Sequence, residues 1–235
     1  SCTLITKFGI YESIALLHIK PTTNDSGPRN QIPIQGEYFY LRHGKKLKLR
    51  GSLNVTTGKI KMNETCQNKL TGYFEFSLIN NANNFWRKPN ATEKEPATLI
   101  YVCRSSATDM GNISRLYFNR THEVHDWSFR DKFPAYDVLD EAWACKLPDG
   151  SLAFYIRVVR EYFHMGRWSG IALPKSSNTY SHRSLWFGYK CHLTIELNEK
   201  ENILFKETDC DVCCGARAYL DGKYKLESEI KVFSQ

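Results

Sequence analysis

Apolar and polar positions alternate with a period of two in short runs along this chain. The clearest are Glu37-Tyr38-Phe39-Tyr40-Leu41-Arg42, Tyr73-Phe74-Glu75-Phe76-Ser77-Leu78-Ile79, Leu99-Ile100-Tyr101-Val102-Cys103, Leu152 to Val159, and His192-Leu193-Thr194-Ile195-Glu196-Leu197. Each is rich in β-branched or aromatic residues, which fit a pleated, half-buried surface, so each predicts a strand. Turn formers separate them: Asp25-Ser26-Gly27-Pro28, Asn80 to Asn84, Pro148-Asp149-Gly150 and Leu220-Asp221-Gly222. The last two read as hairpin tips, joining 142–147 to 151–159 and 215–220 to 223–233. The best helical stretch is short, Val138 to Ala144. The pattern predicts an all-β chain with little helix, folded as an antiparallel β-sandwich stapled by disulfides. It is read as one domain over 1–235, with an internal boundary possible in the polar loop 80–96 and a second exposed loop at 170–184.

Cysteine usage and glycosylation signals turn this fold into a statement about compartment. Eight cysteines, Cys2, Cys66, Cys103, Cys145, Cys191, Cys210, Cys213 and Cys214, make an even set that predicts up to four disulfides without fixing their pairing. Asn-x-Ser/Thr sequons begin at Asn24, Asn54, Asn63, Asn90, Asn112 and Asn119, against roughly two expected by chance, and such sites are used on secreted surfaces. No apolar run is long enough to span a membrane, and no signal peptide is expected within the chain. The expectation is a secreted or surface-exposed glycoprotein.

The net charge of +7 implies affinity for anionic surfaces. Its sharpest expression is Arg42-His43-Gly44-Lys45-Lys46-Leu47-Lys48-Leu49-Arg50. On a strand, Lys46, Lys48 and Arg50 share one face and the two leucines the other. With Arg42 these cations are expected to bind a sulfated glycosaminoglycan, the alternative being a solvated edge strand protected by lysines. Nucleic acid is not expected as a partner.

All six sequons lie in residues 24–121, so a protein partner is expected on the later half of the chain, such as a receptor or a cytokine-like protein. There Arg167, Trp168, Arg183, Trp186, Phe187 and Tyr189, together with Trp143, offer the aromatic and arginine anchors that dominate interfaces. Cys210-x-x-Cys213-Cys214 is half a zinc site with no matching second pair, so neither metal nor cofactor is expected. The seven histidines are scattered and no nucleophile, phosphate-loop or dinucleotide motif is present. Asp137, Asp140 and Glu141 read equally as an acid cluster or as a solvated turn, and no enzyme activity is expected.

Two local resemblances bear on function. Tyr73 to Asn80, Asp126-Trp127-Ser128-Phe129 and Leu139-Asp140-Glu141-Ala142 resemble the meprin-and-TRAF-homology (MATH) β-sandwich. That implies a shallow peptide groove lined by Phe74, Asp126, Trp127 and Phe129, in an intracellular adaptor with reduced cysteines. Cys103-Arg104-Ser105-Ser106 through Asp109-Met110-Gly111, Trp127-Ser128-Phe129-Arg130 and Cys145 resemble the plant self-incompatibility-protein-like family, which implies a small secreted signalling ligand. The residues themselves favour an extracellular protein-binding domain, acting as receptor-binding module, ligand or immune-modulating decoy of viral or parasite type. The intracellular peptide-binding adaptor is the alternative.

Overall fold

In a computed structural model the chain is all-β. The structure describes residues 2–8, 13–22, 30–41, 46–79, 83–103, 113–125, 135–160, 164–186, 189–208 and 219–231, and no helix occurs among them. The chain divides into two compact units, one built on Ser1–Asn112 and the other on Ile113–Lys231. The division therefore falls after Asn112, and part of the 80–96 segment is a strand inside the first unit.

The first unit contains β1 (Cys2–Phe8), β2 (Ser13–Pro21), β3 (Gln31–Tyr40), β4 (Lys46–Asn54), β5 (Lys59–Cys66), β6 (Lys69–Ser77), β7 (Phe85–Arg87) and β8 (Glu95–Cys103). Each strand pairs antiparallel with the next, and β1 pairs back with β8 through registers such as Leu4↔Val102. The ring closes thinly on one side, through the three-residue β7. At the β5–β6 hairpin Cys66 faces Lys69, and both intervening residues, Gln67 and Asn68, have positive φ (49° and 63°). That is the two-residue turn whose twist matches its strands.

The second unit repeats the plan with β9 (Ser114–His125), β10 (Ala135–Lys146), β11 (Leu152–Arg160), β12 (His164–Pro174), β13 (Thr179–Trp186), β14 (Tyr189–Asn198), β15 (Asn202–Thr208) and β16 (Gly222–Lys231). β9 lies between β10 and β16 and closes the ring. Two strand rings replace the expected sandwich, because every strand in each unit has a partner on both sides.

Period-two alternation fills each interior. In the first barrel Leu17, Ile34, Tyr38, Leu49, Ile60, Met62, Phe74 and Phe76 form a buried cluster. In the second, Phe118, Ala142, Ala144, Phe154, Ile156, Leu193, Ile195 and Phe205 do so. Each fully buried large side chain contributes about 1.5–3 kcal/mol, which is why these runs set the strand faces. The helix expected over Val138 to Ala144 is strand β10. Ala142 and Ala144 point inward, while Trp143 on the opposite face lies 5.3 Å from the Tyr117 ring and 5.2 Å from Tyr155. A helix would have put these residues about 100° apart and broken that alternation.

Pro148-Asp149-Gly150 does make the predicted β10–β11 hairpin. Asp149 Oδ1 accepts from the Ser151 N–H and hydroxyl, and Gly150 has φ +82°. Asp221-Gly222 instead opens β16, which pairs with β15 and β9. Residues 215–218 of the other expected hairpin lie outside the described residues. The expected loop 170–184 is the end of β12, an exposed turn at 175–178, and most of β13.

Candidate functional site

The second barrel has one weak seam. β11 pairs with β12 along its whole length, from Leu152↔Ala172 to Arg160↔His164. Among the described residues β12 and β13, by contrast, pair only at Leu173↔Ser181 and Pro174↔Tyr180. Beyond those pairs the ladder stops among the described residues, leaving Gly166 to Ile171 on one strand and His182 to Trp186 on the other without backbone pairing to each other. At the fork His182 takes over the lost ladder bond: its Nδ1 donates to the Ile171 carbonyl at 2.8 Å. The ring packs edge-on against Phe154 and Trp168 at 5.2 and 5.5 Å. This needs Gly170, where a Cβ would sit 2.4 Å from His182 Cε1.

Three residues singled out from the sequence border this seam. Trp168 faces inward and is buried, Arg167 is half-buried on the outer face of β12, and Arg183 is exposed on the outer face of β13. Next to Arg183, His192 lies between two hydroxyls, Ser181 Oγ at 2.7 Å and Thr208 Oγ1 at 3.2 Å. The side chains of Trp186 and Tyr189, and all of Phe187, lie outside the described residues. Trp143 is a member of the β9–β11 aromatic row and is not at the seam.

A second polar feature, inside the same barrel, was not legible in the sequence. Asp140, read with Asp137 and Glu141 as an acid cluster or a solvated turn, is fully buried on the inner face of β10. It accepts from the Val159 N–H at 2.7 Å, Arg120 Nη2 at 2.7 Å and Arg160 Nη1 at 2.6 Å, with His122 Nε2 at 3.2 Å. Burial alone would raise its pKa, but these donors hold the carboxyl below its ordinary value. Arg120 also lies over the Tyr224 ring at 5.0 Å. Asp137 is exposed, and Glu141 faces the other way to pair with Arg157 at 3.0 Å. Glu141 and Arg157 form one wall of an open hollow of about 390 Å³ whose remaining lining is Val138, Leu139, Val159 and Met165. With its oxygens already engaged by three donors, Asp140 is arranged to pin β9, β10 and β11 together.

On the first barrel the basic alternation appears as read. Lys46, Lys48 and Arg50 are exposed on β4, Leu49 is buried and Leu47 half-buried. Arg42 lies outside the described residues. Of the sequon asparagines, Asn63 and Asn90 are exposed, while Asn54 Oδ1 accepts from the Thr56 and Thr57 N–H groups at 3.1 and 2.9 Å. Asn119 is half-buried on β9, which places one sequon in the second barrel. Asn24 and Asn112 lie outside the described residues.

The cysteines do not form the uniform set expected. Cys66 is an exposed free thiol and Cys145 a buried one, its thiol pushed up by burial. On β10 the Cα partners of Cys145 are Arg115 and Ala153, so no cysteine stands opposite it. Cys191 is disulfide-bonded. The side chains of Cys2 and Cys103, and all of Cys210, Cys213 and Cys214, lie outside the described residues. No group of three His, Cys, Asp or Glu residues close enough to hold a metal occurs among the described residues.

Compared with family models, curated proteins and solved structures, the chain has no match. The MATH-like groove also meets a local difficulty: Phe74 lies in the first barrel's interior, 5.4 Å from the Tyr38 ring and 5.6 Å from Phe76. Asp126, Trp127 and Phe129 lie outside the described residues.

Proposed function

We propose that this chain is a secreted, N-glycosylated, disulfide-bonded binding protein without catalytic function, and that its protein partner docks along the β12–β13 seam. The seam itself carries the reading. A pair of strands whose ladder stops after two registers presents backbone edges, and extended segments of a partner add to such edges by main-chain hydrogen bonds. Arg167 and Arg183 flank it with positive charge, which suits an acidic extended segment, and arginine beside buried tryptophan is the composition of interface hot spots.

Sequon placement supports the same side. Asn119 sits on β9, three strands from β12 one way around the ring and four from β13 the other. A glycan there leaves the seam uncovered.

Two measurements test this. Intact mass of the chain from secreting cells, with and without glycosidase and with thiol alkylation before and after reduction, is expected to show several glycans and more alkylatable thiols after reduction. In the native protein Cys66 is expected to react and Cys145 to be protected. A glycan-free chain with eight reactive thiols points instead to the intracellular adaptor. Arg167→Asn creates a sequon with Trp168 and Ser169. Once glycosylated, that variant is expected to lose at least tenfold in affinity for a partner found with the wild-type chain. Unchanged affinity removes the seam as the interface.

A further inference from the structure

The outer face of the first barrel carries more positive charge than the β4 ladder alone. β5 brings exposed Lys59 and Lys61 onto the same face, and the register sets Lys61 opposite Ser52 and Lys59 opposite Asn54. Same-face neighbours on a strand stand about 6.8 Å apart, so Lys46, Lys48, Arg50, Lys61 and Lys59 form one track about 27 Å long. Two carboxylates share the face. Glu37 stands opposite Lys48, and Glu75 lies 3.8 and 3.7 Å from Lys59 and Lys61. Ion pairs this exposed are weak and exchange readily for another anion.

The aromatic rings beside the track are already covered. Arg87 lies over Tyr73 at 4.4 Å and Lys94 over Phe85 at 4.2 Å. Nucleobase binding depends on bare rings for stacking, whereas a sulfated sugar chain needs only spaced cations on an open surface. One cross-strand row runs Arg50, Asn63, Tyr73, Arg87, so the exposed Asn63 of the Asn63-Glu64-Thr65 sequon stands inside the basic face.

We propose that this β4–β5 face is the docking track for a linear sulfated polysaccharide, and that an N-glycan on Asn63 closes it. The electrostatic half stands on the charge layout alone; the glycan half rests on the secretory reading above. A glycan at Asn63 projects from between Arg50 and Tyr73, across the path a polyanion would follow. Chain copies with and without that glycan thus differ in retention at anionic matrices.

The experiment is salt-gradient elution of the full chain from immobilised heparin. A cation near an anionic surface is worth about fivefold in affinity, so Lys48→Glu/Arg50→Glu/Lys61→Glu is expected to weaken binding roughly 100-fold. A control with the same charge change on exposed lysines of the second barrel, Lys175→Glu/Lys200→Glu/Lys223→Glu, is expected to elute much nearer to wild type. Equal loss in both triples, or loss in neither, overturns the track, and thermal melts confirm that the exposed substitutions leave the fold intact. Retention on immobilised polyglutamate equal to that on heparin overturns the polysaccharide in favour of an acidic protein. Asn63→Gln from secreting cells is expected to elute at higher salt than the chain glycosylated there. Equal elution, or an Asn63 shown by mass to be unoccupied, overturns the closure. None of these variants alters β12 or β13, so the seam reading stands or falls separately.

Discussion

Arg120 passes directly over Gly222: a Cβ built on Gly222 would lie 2.1 Å from the arginine Nη1. The guanidinium cannot swing away cheaply, since its Nη2 is held by the buried carboxylate of Asp140 at 2.7 Å. Gly222 has φ +156°, at the edge of the region L side chains avoid. Gly222→Ala is therefore expected to cost about 1–3 kcal/mol, through backbone strain and displacement of Arg120. Urea unfolding of the full chain measures it, and an unchanged midpoint would show that Arg120 is free to move.

Asp140 is the keystone of that cluster. Replacing it with Asn leaves Arg120 and Arg160 facing each other without their shared anion, at a cost of about 3 kcal/mol. The pH dependence has a definite sign. A carboxyl held below its unfolded value contributes stability above the unfolded pKa near 3.9, and loses it as pH falls through the folded pKa. Wild type is thus expected to lose stability steeply below about pH 4, and Asp140→Asn to lose less over the same range. Parallel curves in pH-dependent melts would remove Asp140 as the cause.

Glu207 has the opposite sign. Burial pushes its carboxyl up to about 6, the Leu220 N–H bond at 2.7 Å lowers it in part, and Asp221 raises it. A raised carboxyl binds its proton more tightly folded than unfolded, so stability falls as pH rises from about 4.3 through 6. Glu207→Gln keeps an acceptor for Leu220 and removes the charge. It is expected to stabilise the chain by on the order of 1 kcal/mol at pH 8 and to do little at pH 4. Equal effects at both pH values would show that packing, and not charge, is responsible.

The strands and their faces were written in local chemistry. His192 to Leu197 could hardly be anything but a strand, because its period-two alternation buries one face, and Leu152 to Val159 is a near-continuous apolar run buried on both faces. Lys46, Lys48 and Arg50 were legible for the same reason, and Lys59-Ile60-Lys61-Met62 carries the identical signal one strand later. Val138 to Ala144 misled because its alanines are good helix formers; membership in β10 was decided by partners Leu116 and Phe118 on a distant strand.

The sequence by itself determined that the chain is all-β, which side of most strands turns inward, and where cations line up along a strand. Whether those strands would stack as a sandwich or close as rings was decided by pairings such as β1 with β8 and β9 with β16, between residues far apart in the chain. Registers between neighbouring strands placed Asp140 among Arg120, Arg160 and His122, ended the β12–β13 ladder beside Arg167 and Arg183, and set Asn63 next to Arg50. Periodicity records which way a side chain points; what stands opposite it depends on strand register and ring closure, which no local run of residues encodes.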